Sequence, residues 1–317
     1  MDSPIRICVV GSSNIDLFFR TSRLPQPGET LVGRDWQLGY GGKGANQAVM
    51  AARLGAQVSM VSCVGKDAFG EGVLNNFSAE GIDATHVRID EKRSTGLASI
   101  MVDDEAQNCI LLVPGANQAL TPDDVRAAGE ALRSAKLLLC QLEVPLETTL
   151  EACRMARAAG VVTILNPAPA VPLPNELLAL ADYCIPNETE IELLTRRPAR
   201  NRTQYEWAAS ELLKRGPKAV LLTLGEKGTL IADKTQMILV PALPVQAVDT
   251  TGAGDAFIGS LAFFLAQGLE LMLAVLKANG IAGLSVTRPG TQTSFPRRAE
   301  LADFLKEEQH IFSDGNS

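Results

Sequence analysis

Apolar and polar positions alternate along the chain in short runs that switch between the period of a strand and that of a helix. Ile5–Val10 is a mostly apolar run ending at Gly11, the form of a buried strand. Similar runs recur at Gln57–Val64, Lys136–Cys140, Val161–Leu165, Asp182–Ile185 and Lys218–Leu224. Between them, helical patterns lie near 68–80, 122–134, 146–159, 175–180, 187–195 and 203–215, and an alanine-rich helix ends near Leu54-Gly55. Such alternation predicts an α/β fold, a mostly parallel central sheet with helices on both faces.

Two stretches break the rhythm. Residues 17–40 have no helical period, contain Pro25, Pro27 and Gly28, and offer a strand at Leu31–Trp36. Thr95–Val102 and Cys109–Val113 read as a hairpin around Asp103-Asp104-Glu105. Together they predict a small antiparallel β lid (17–40 and 95–113) beside an α/β domain made of 1–16, 41–94 and 114–317. A second hairpin is expected over 229–232 and 236–240, and Ala256–Ala266, apolar nearly all round, predicts a buried helix. The polar last eight or so residues predict a frayed tail.

Composition narrows the function classes. With 317 residues, 46% hydrophobic, the chain has ample material for a core, and a formal charge of -7 argues against nucleic acid or an anionic membrane as main partner. The basic cluster from Arg196 to Arg202 is broken by Pro198 and reads as a solvated loop. Six scattered cysteines form no C-x-x-C pair and read as small buried hydrophobes in a reducing compartment. His86 and His310 lack partners at metal-ligand spacing, which argues against zinc hydrolysis and histidine triads. The longest apolar region, 256–286, is interrupted by Gln267, Glu270 and Lys277, and the N-terminus has no leader pattern, so a cytoplasmic location is expected.

Candidate chemistry concentrates where strands end. Asp249-Thr250-Thr251-Gly252-Ala253-Gly254-Asp255 leaves a helix start bare at Gly252, Ala253 and Gly254, open to an anion, with the Asp255 carboxylate in the same turn. An ordinary helix start fits the same residues. Asn14 and Asp16 follow the first strand and point the same way if the chain stays extended, although an Asx turn would use them equally well. Gly39-Tyr40-Gly41-Gly42-Lys43-Gly44-Ala45-Asn46 matches G-x-G-x-x-G, but not on the first strand's turn as a dinucleotide fingerprint requires, and no Walker A is present. It reads instead as a tight turn offering Lys43 and Asn46 to a polyol. Glu143 and Asn166-Pro167-Ala168-Pro169-Ala170 close two further strands. Asn187 and Glu190 suit a capping box, or an amide and a carboxylate facing a Mg²⁺–phosphate complex through water. The glycine turn from Thr223 to Gly228 lets adenine or phosphate approach the backbone.

Over roughly residues 5–305 the chain resembles the ribokinase branch of the PfkB-type sugar kinases. Gly41–Ala48 is similar to that family's first signature and Asp249–Phe257 to its second; Pro114-Gly115-Ala116-Asn117, 166–170, 187–190 and 287–294 are similar to its typical segments, with Thr291 where Ala is commoner. The resemblance implies transfer of the ATP γ-phosphoryl group to the 5-hydroxyl of D-ribose, or to a related sugar or nucleoside in a sibling kinase, deoxyribose included. It implies Asp255 as catalytic base, an anion hole at Gly252, Ala253 and Gly254, and pentose ligands Asn14, Asp16, Gly42, Lys43, Asn46 and Glu143. It further implies a nucleotide site at Asn187, Thr223, Gly225, Gly228, Gly254 and Asn279, with Glu190 near Mg²⁺. Asp249, Thr251, Ser285, Arg288, Gly290 and Ser294 correspond to a K⁺ site, several through backbone carbonyls. A homodimer paired through the lid completes these expectations.

Overall fold

Side chains of the first strand serve two separate cores: Ile7 and Val9 pack on one face of the sheet, Cys8 and Val10 on the other, because successive strand residues point to opposite sides. The computed structural model describes residues 4–105 and 107–301, so the expected C-terminal tail lies outside the described residues.

In chain order, β1 (Arg6–Val10) leads to β2 (Asn14–Arg20) and β3 (Asp35–Gly41), α1 (Lys43–Leu54) to β4 (Gln57–Gly65), and α2 (Ala68–Ala79) to β5 (Asp83–Asp90). The hairpin β6 (Gly96–Val102) and β7 (Asn108–Val113) follows, then α3 (Pro122–Ala127), α4 (Gly129–Ser134) and β8 (Leu137–Cys140). Alternation continues through α5 (Leu146–Ala159), β9 (Val162–Leu165), α6 (Asn175–Leu180), β10 (Tyr183–Cys184), α7 (Glu188–Thr195), α8 (Arg202–Leu213) and β11 (Ala219–Thr223). The hairpin β12 (Thr229–Asp233) and β13 (Met237–Val240) precedes the long helices α9 (Ala253–Gln267) and α10 (Leu271–Ser285).

The main sheet has the order β13-β12-β11-β10-β9-β8-β1-β4-β5. Neighbours from β11 to β5 pair in parallel, while β12 and β13 are antiparallel. Helices α1, α9 and α10 cover one face and α5 and α8 the other. The chain departs from β1 in both lateral directions, to β4 and to β8, which creates a crevice beyond the carboxyl ends of the strands. The smaller sheet runs β3-β2-β6-β7; its outer pairs are antiparallel and its central pair, β2 with β6, is parallel.

The expected elements are present, with local differences. The strand expected at Leu31–Trp36 begins only at Asp35, where pairing with Arg20 starts; Val32 is 86% exposed and has nothing to pack on. Asn14 and Asp16 lie on strand β2, extended, not in a turn. The helix near 122–134 is two helices, parted at Ala128-Gly129, where glycine weakens the helix. Edge strand β5 has no apolar run to announce it. Helix α10 was hidden because the region is apolar on all sides and carries no helical stripe. No helix among the described residues is long and apolar enough to cross a membrane.

Candidate active site

Three helix starts, of α1, α7 and α9, and the ends of β9, β10 and β11 meet in the crevice. Helix α1 begins at Gly42 with φ 88° and no side-chain cap. A Cβ at 42 would lie 2.8 Å from the Asn14 amide nitrogen, and one at Gly44 2.7 Å from that of Ser12, so glycine lets the helix rest directly on the backbone after β1. Glu143, beyond β8, accepts from Lys43 N at 3.0 Å and from Ser12 Oγ at 2.5 Å through one oxygen. That oxygen is committed to holding α1 in place.

Asn14 and Asp16 are buried at the start of β2. Asn14 Oδ1 accepts from Asn117 Nδ2 at 2.7 Å, while Asn117 Oδ1 accepts from Ser13 N at 2.9 Å, which fixes the Asn14 amide with its nitrogen outward. Asp16 accepts from Thr291 Oγ1 at 3.4 Å. Burial, reinforced by the charges of Glu143 and Asp255, pushes its carboxyl up to about 7, against a small lowering from Thr291.

Helix α9 starts at Gly252, φ 80°, again with no side-chain cap. A Cβ at Gly254 would meet nothing within 4 Å, so the first turn is bare. Ala253 N donates back to Thr250 O at 3.2 Å and closes the turn. Asp255 is buried, its Oδ2 accepting from Asn46 Nδ2 and its Oδ1 from Gln47 Nε2, both at 2.9 Å.

Asp255, Gly252 and Gly254 line a cavity of about 170 Å³ together with Lys43, Asn187 and Glu190. Lys43, expected on the sugar, thus also borders the bare start of α9. Burial works against its ammonium, but the carboxylates of Asp255, Glu143 and Glu190 outweigh it and raise its pKa. A larger cleft of about 990 Å³ adjoins and shares Asn187, Thr223 and Gly254 with the smaller one. Gly225, Gly228 and Asn279 line the larger cleft. Gly228 has φ 98° and no room for a Cβ against Val240 O. The Asn279 amide accepts from Thr229 Oγ1 at 2.8 Å and donates to the carbonyls of Val240 and Pro241, so it shapes the wall.

Asn187 and Glu190 form the capping box, each side chain bonding the other's backbone N–H at 2.8 Å. Burial raises the Glu190 carboxyl, opposed by the Asn187 N–H and by Lys43. With both oxygens bonded to Asn187, Glu190 suits Mg²⁺ only through water, alongside phosphate oxygens. Among the described residues no group of three or more His, Cys, Asp or Glu is placed to hold a metal.

Behind α9, Asp249 accepts from Thr251 N, Thr251 Oγ1 and Gly290 N. Burial works against its charge, and these bonds more than offset it, lowering its pKa. The Ser285 and Ser294 hydroxyls are spent on the carbonyls of Ala282 and Thr291, and Arg288 pairs with Glu300. Of the residues expected to hold a monovalent cation, the Ser285, Ser294 and Arg288 side chains thus have other partners, and only their backbone carbonyls remain for such a role.

Several contributors had no role assigned from sequence: Asn117, Thr291, Gln47, Gln141 and Gln292. Gln47 had a visible signal, a second amide beside Asn46 followed by the apolar run Ala48–Ala52, where a buried polar group needs a partner.

Comparison with known proteins identifies the family. Residues 4–298 match the model of the pfkB family of carbohydrate kinases. The chain is 41% identical over 300 residues to the deoxyribokinase of Salmonella typhi, covering 94% of this chain and 98% of that one. It is 42% identical over 300 residues to the ribokinase of Mus musculus, covering 93% of each. The structure of Arabidopsis thaliana ribokinase complexed with ribose and ATP superposes with a TM-score of 0.89 at 34% identity, covering 96% of this chain and 99% of that one. With its parallel sheet, bare helix starts and adjoining cavities, the chain belongs to the pfkB family of carbohydrate kinases.

Proposed function

We propose that this carbohydrate kinase transfers the γ-phosphoryl group of ATP to the 5-hydroxyl of D-ribose. The observation that carries the reading is the position of Asp255, buried at the junction of a pocket lined by nucleotide-type glycine turns and a polar site built from Asn14, Asp16 and Asn46. Asp255 takes the hydroxyl proton as the oxygen attacks phosphorus. The bare first turn at Gly252, Ala253 and Gly254, with the Lys43 ammonium, balances charge on the transferring group. Glu190 would hold Mg²⁺ through water beside the phosphates, and the bound ion supplies further neutralisation of their charge. Asp249, Thr251 and the carbonyls of Ser285, Arg288, Gly290 and Ser294 would hold K⁺, adding positive charge behind the anion hole.

The four-stranded sheet acts as the lid, 17–40 with 95–113, and keeps water from competing for the phosphoryl group. Its edge strand β7 exposes Ile110, Leu111, Leu112 and Val113, and such an apolar edge fits pairing with a second copy. Five of the six free cysteines are buried, which suits a reducing cytoplasm.

The 41% identity to a deoxyribokinase favours 2-deoxyribose as the second reading. Asn14 and Asp16 weigh against it, since a site built to bond a hydroxyl loses affinity for a sugar lacking one. A coupled ATPase assay over a panel of pentoses, deoxyribose, ketoses and nucleosides, with and without K⁺, tests the assignment. Ribose-selective, K⁺-stimulated turnover is expected. Preference for deoxyribose would reassign the substrate, and indifference to K⁺ would remove the cation site at Asp249.

A further inference from the structure

Asp255 is held at both oxygens by adjacent amides of α1, and each amide is itself pinned at its far end. Gln47 Oε1 accepts from Gln141 Nε2 at 2.6 Å. Asn46 Oδ1 accepts from Gln292 Nε2 at 3.0 Å, and Gln292 Oε1 from Asn76 Nδ2 at 2.9 Å. A side-chain amide can present either end to a neighbour; here the oxygens of Asn46, Gln47 and Gln292 each meet a donor, so the nitrogens of Asn46 and Gln47 are left to face the carboxylate, while the buried Gln141 Oε1 meets no partner among the described residues. Asn46, Gln47, Gln141 and Gln292 are all buried. Gln292 is anchored again through its backbone, whose carbonyl accepts from Arg53 Nη1 at 2.8 Å, and Arg53 is paired with Glu80.

We infer that Gln47 and Gln292 are positioning residues: a buried relay of amides fixes the plane of the Asp255 carboxylate and aims its free lone pairs at the acceptor hydroxyl. The inference rests on the reading of Asp255 as the base. Consecutive helix residues project about 100° apart, from 3.6 residues per turn, so Asn46 and Gln47 grip the carboxylate from two directions and prevent it from turning. Neither glutamine is needed for the proton transfer itself. Removing one lets the carboxylate rotate away from the line of attack, and a displacement on the order of 1 Å can cost about a hundredfold in rate.

The test uses the full chain carrying Gln47→Met, Gln292→Met, Asp255→Ala and the double variant Gln47→Met/Asp255→Ala. Turnover, ribose affinity by calorimetry and the thermal midpoint are measured for each. Both methionine variants should lose about 10–100-fold in kcat; in Gln47→Met the ribose Kd should change less than about threefold because the named sugar ligands keep their partners, whereas Gln292→Met also frees Asn46 and is read by kcat alone. In the Asp255→Ala background, Gln47→Met should cost nothing further, since no carboxylate remains to be aimed. Wild-type kcat in the folded methionine variants, or an equal loss with and without Asp255, would overturn the relay. If Gln47→Met does not fold, Gln292→Met on the other arm decides by the same kcat criterion. Near-normal activity of Asp255→Ala would instead show that the base has been misassigned, and the relay would fall with it.

Discussion

A first side-chain carbon on Gly41 would overlap the carboxylate of Asp16, so the two residues form one packing unit across β2 and β3. In the paired register Asn14 faces Gly41 and Asp16 faces Gly39, which leaves the Asp16 carboxylate room only because position 41 is bare. Gly41→Ala should displace that carboxylate and raise the ribose Kd by about ten- to a hundredfold, the cost of one or two lost hydrogen bonds to a charged group. ATP affinity should be unchanged, because the nucleotide pocket lies on the far side of Asp255. Calorimetric titration of each ligand checks the split.

The elevated Asp16 carboxyl, at about 7, makes sugar binding sensitive to pH. Glu143 and Asp255 face it with negative charge, and Thr291 donates to it. Ribose hydroxyls donate to the ionised form, so affinity should rise with pH up to about 7 and then level off. Well below that value it should fall toward about tenfold per pH unit, with one proton released on binding. Stability runs the other way. The folded pKa lies above the ordinary carboxylate value of 3.8, so the folded state holds the extra proton between the two. The stability this contributes is complete below 3.8 and is lost as pH rises through about 7. Asp16→Asn should therefore flatten the binding profile and melt higher than the parent above neutral pH. A binding profile that stays flat in the parent would remove Asp16 from the sugar site.

Asp255→Ala should lower kcat by about 10²–10⁴-fold, the usual contribution of a general base. The ribose Kd should move little, because Asn14 and Asp16 hold the sugar from another element. Rapid-quench measurement of the first turnover separates this loss from slow product release; a burst of normal rate would mean that chemistry does not depend on Asp255.

Sequence patterns revealed the sheet because its parallel strands are buried on both faces and read as continuous apolar runs, as in Leu137–Cys140. They missed β5, whose polar, half-exposed residues at the edge carry no such run, and α10, whose apolar surface has no stripe. In the site, helix-start glycines and strand-end acids were legible since their chemistry is local. Asn117, Gln141 and Gln292 were not. Each acts on a partner distant in the chain, Gln292 on Asn46 and Asn117 on Asn14, and no local pattern specifies which amides will share a crevice. At Asn187 and Glu190 the capping box is formed, and the same pair lines the small cavity beside Asp255, so the structural reading leaves the functional one open.

The lid supplies the last expected outcome. Every residue of β7 is exposed, with Ile110 at 58% and Leu111 at 64%, and β7 is an outer strand of its sheet. An apolar edge with free backbone groups is stable in water only when short, charged or covered, and β7 carries no charged residue. A second copy adding its own lid would cover the edge and stiffen the roof over the sugar. Sedimentation equilibrium of the parent should give twice the chain mass of 33.7 kDa. Leu111→Asp should shift the equilibrium to monomer and raise the ribose KM several-fold while sparing ATP binding, since the lid and not the nucleotide cleft loses its support. A parent that is monomeric at micromolar concentration, or a monomeric variant with unaltered KM, would separate the lid's function from dimer formation.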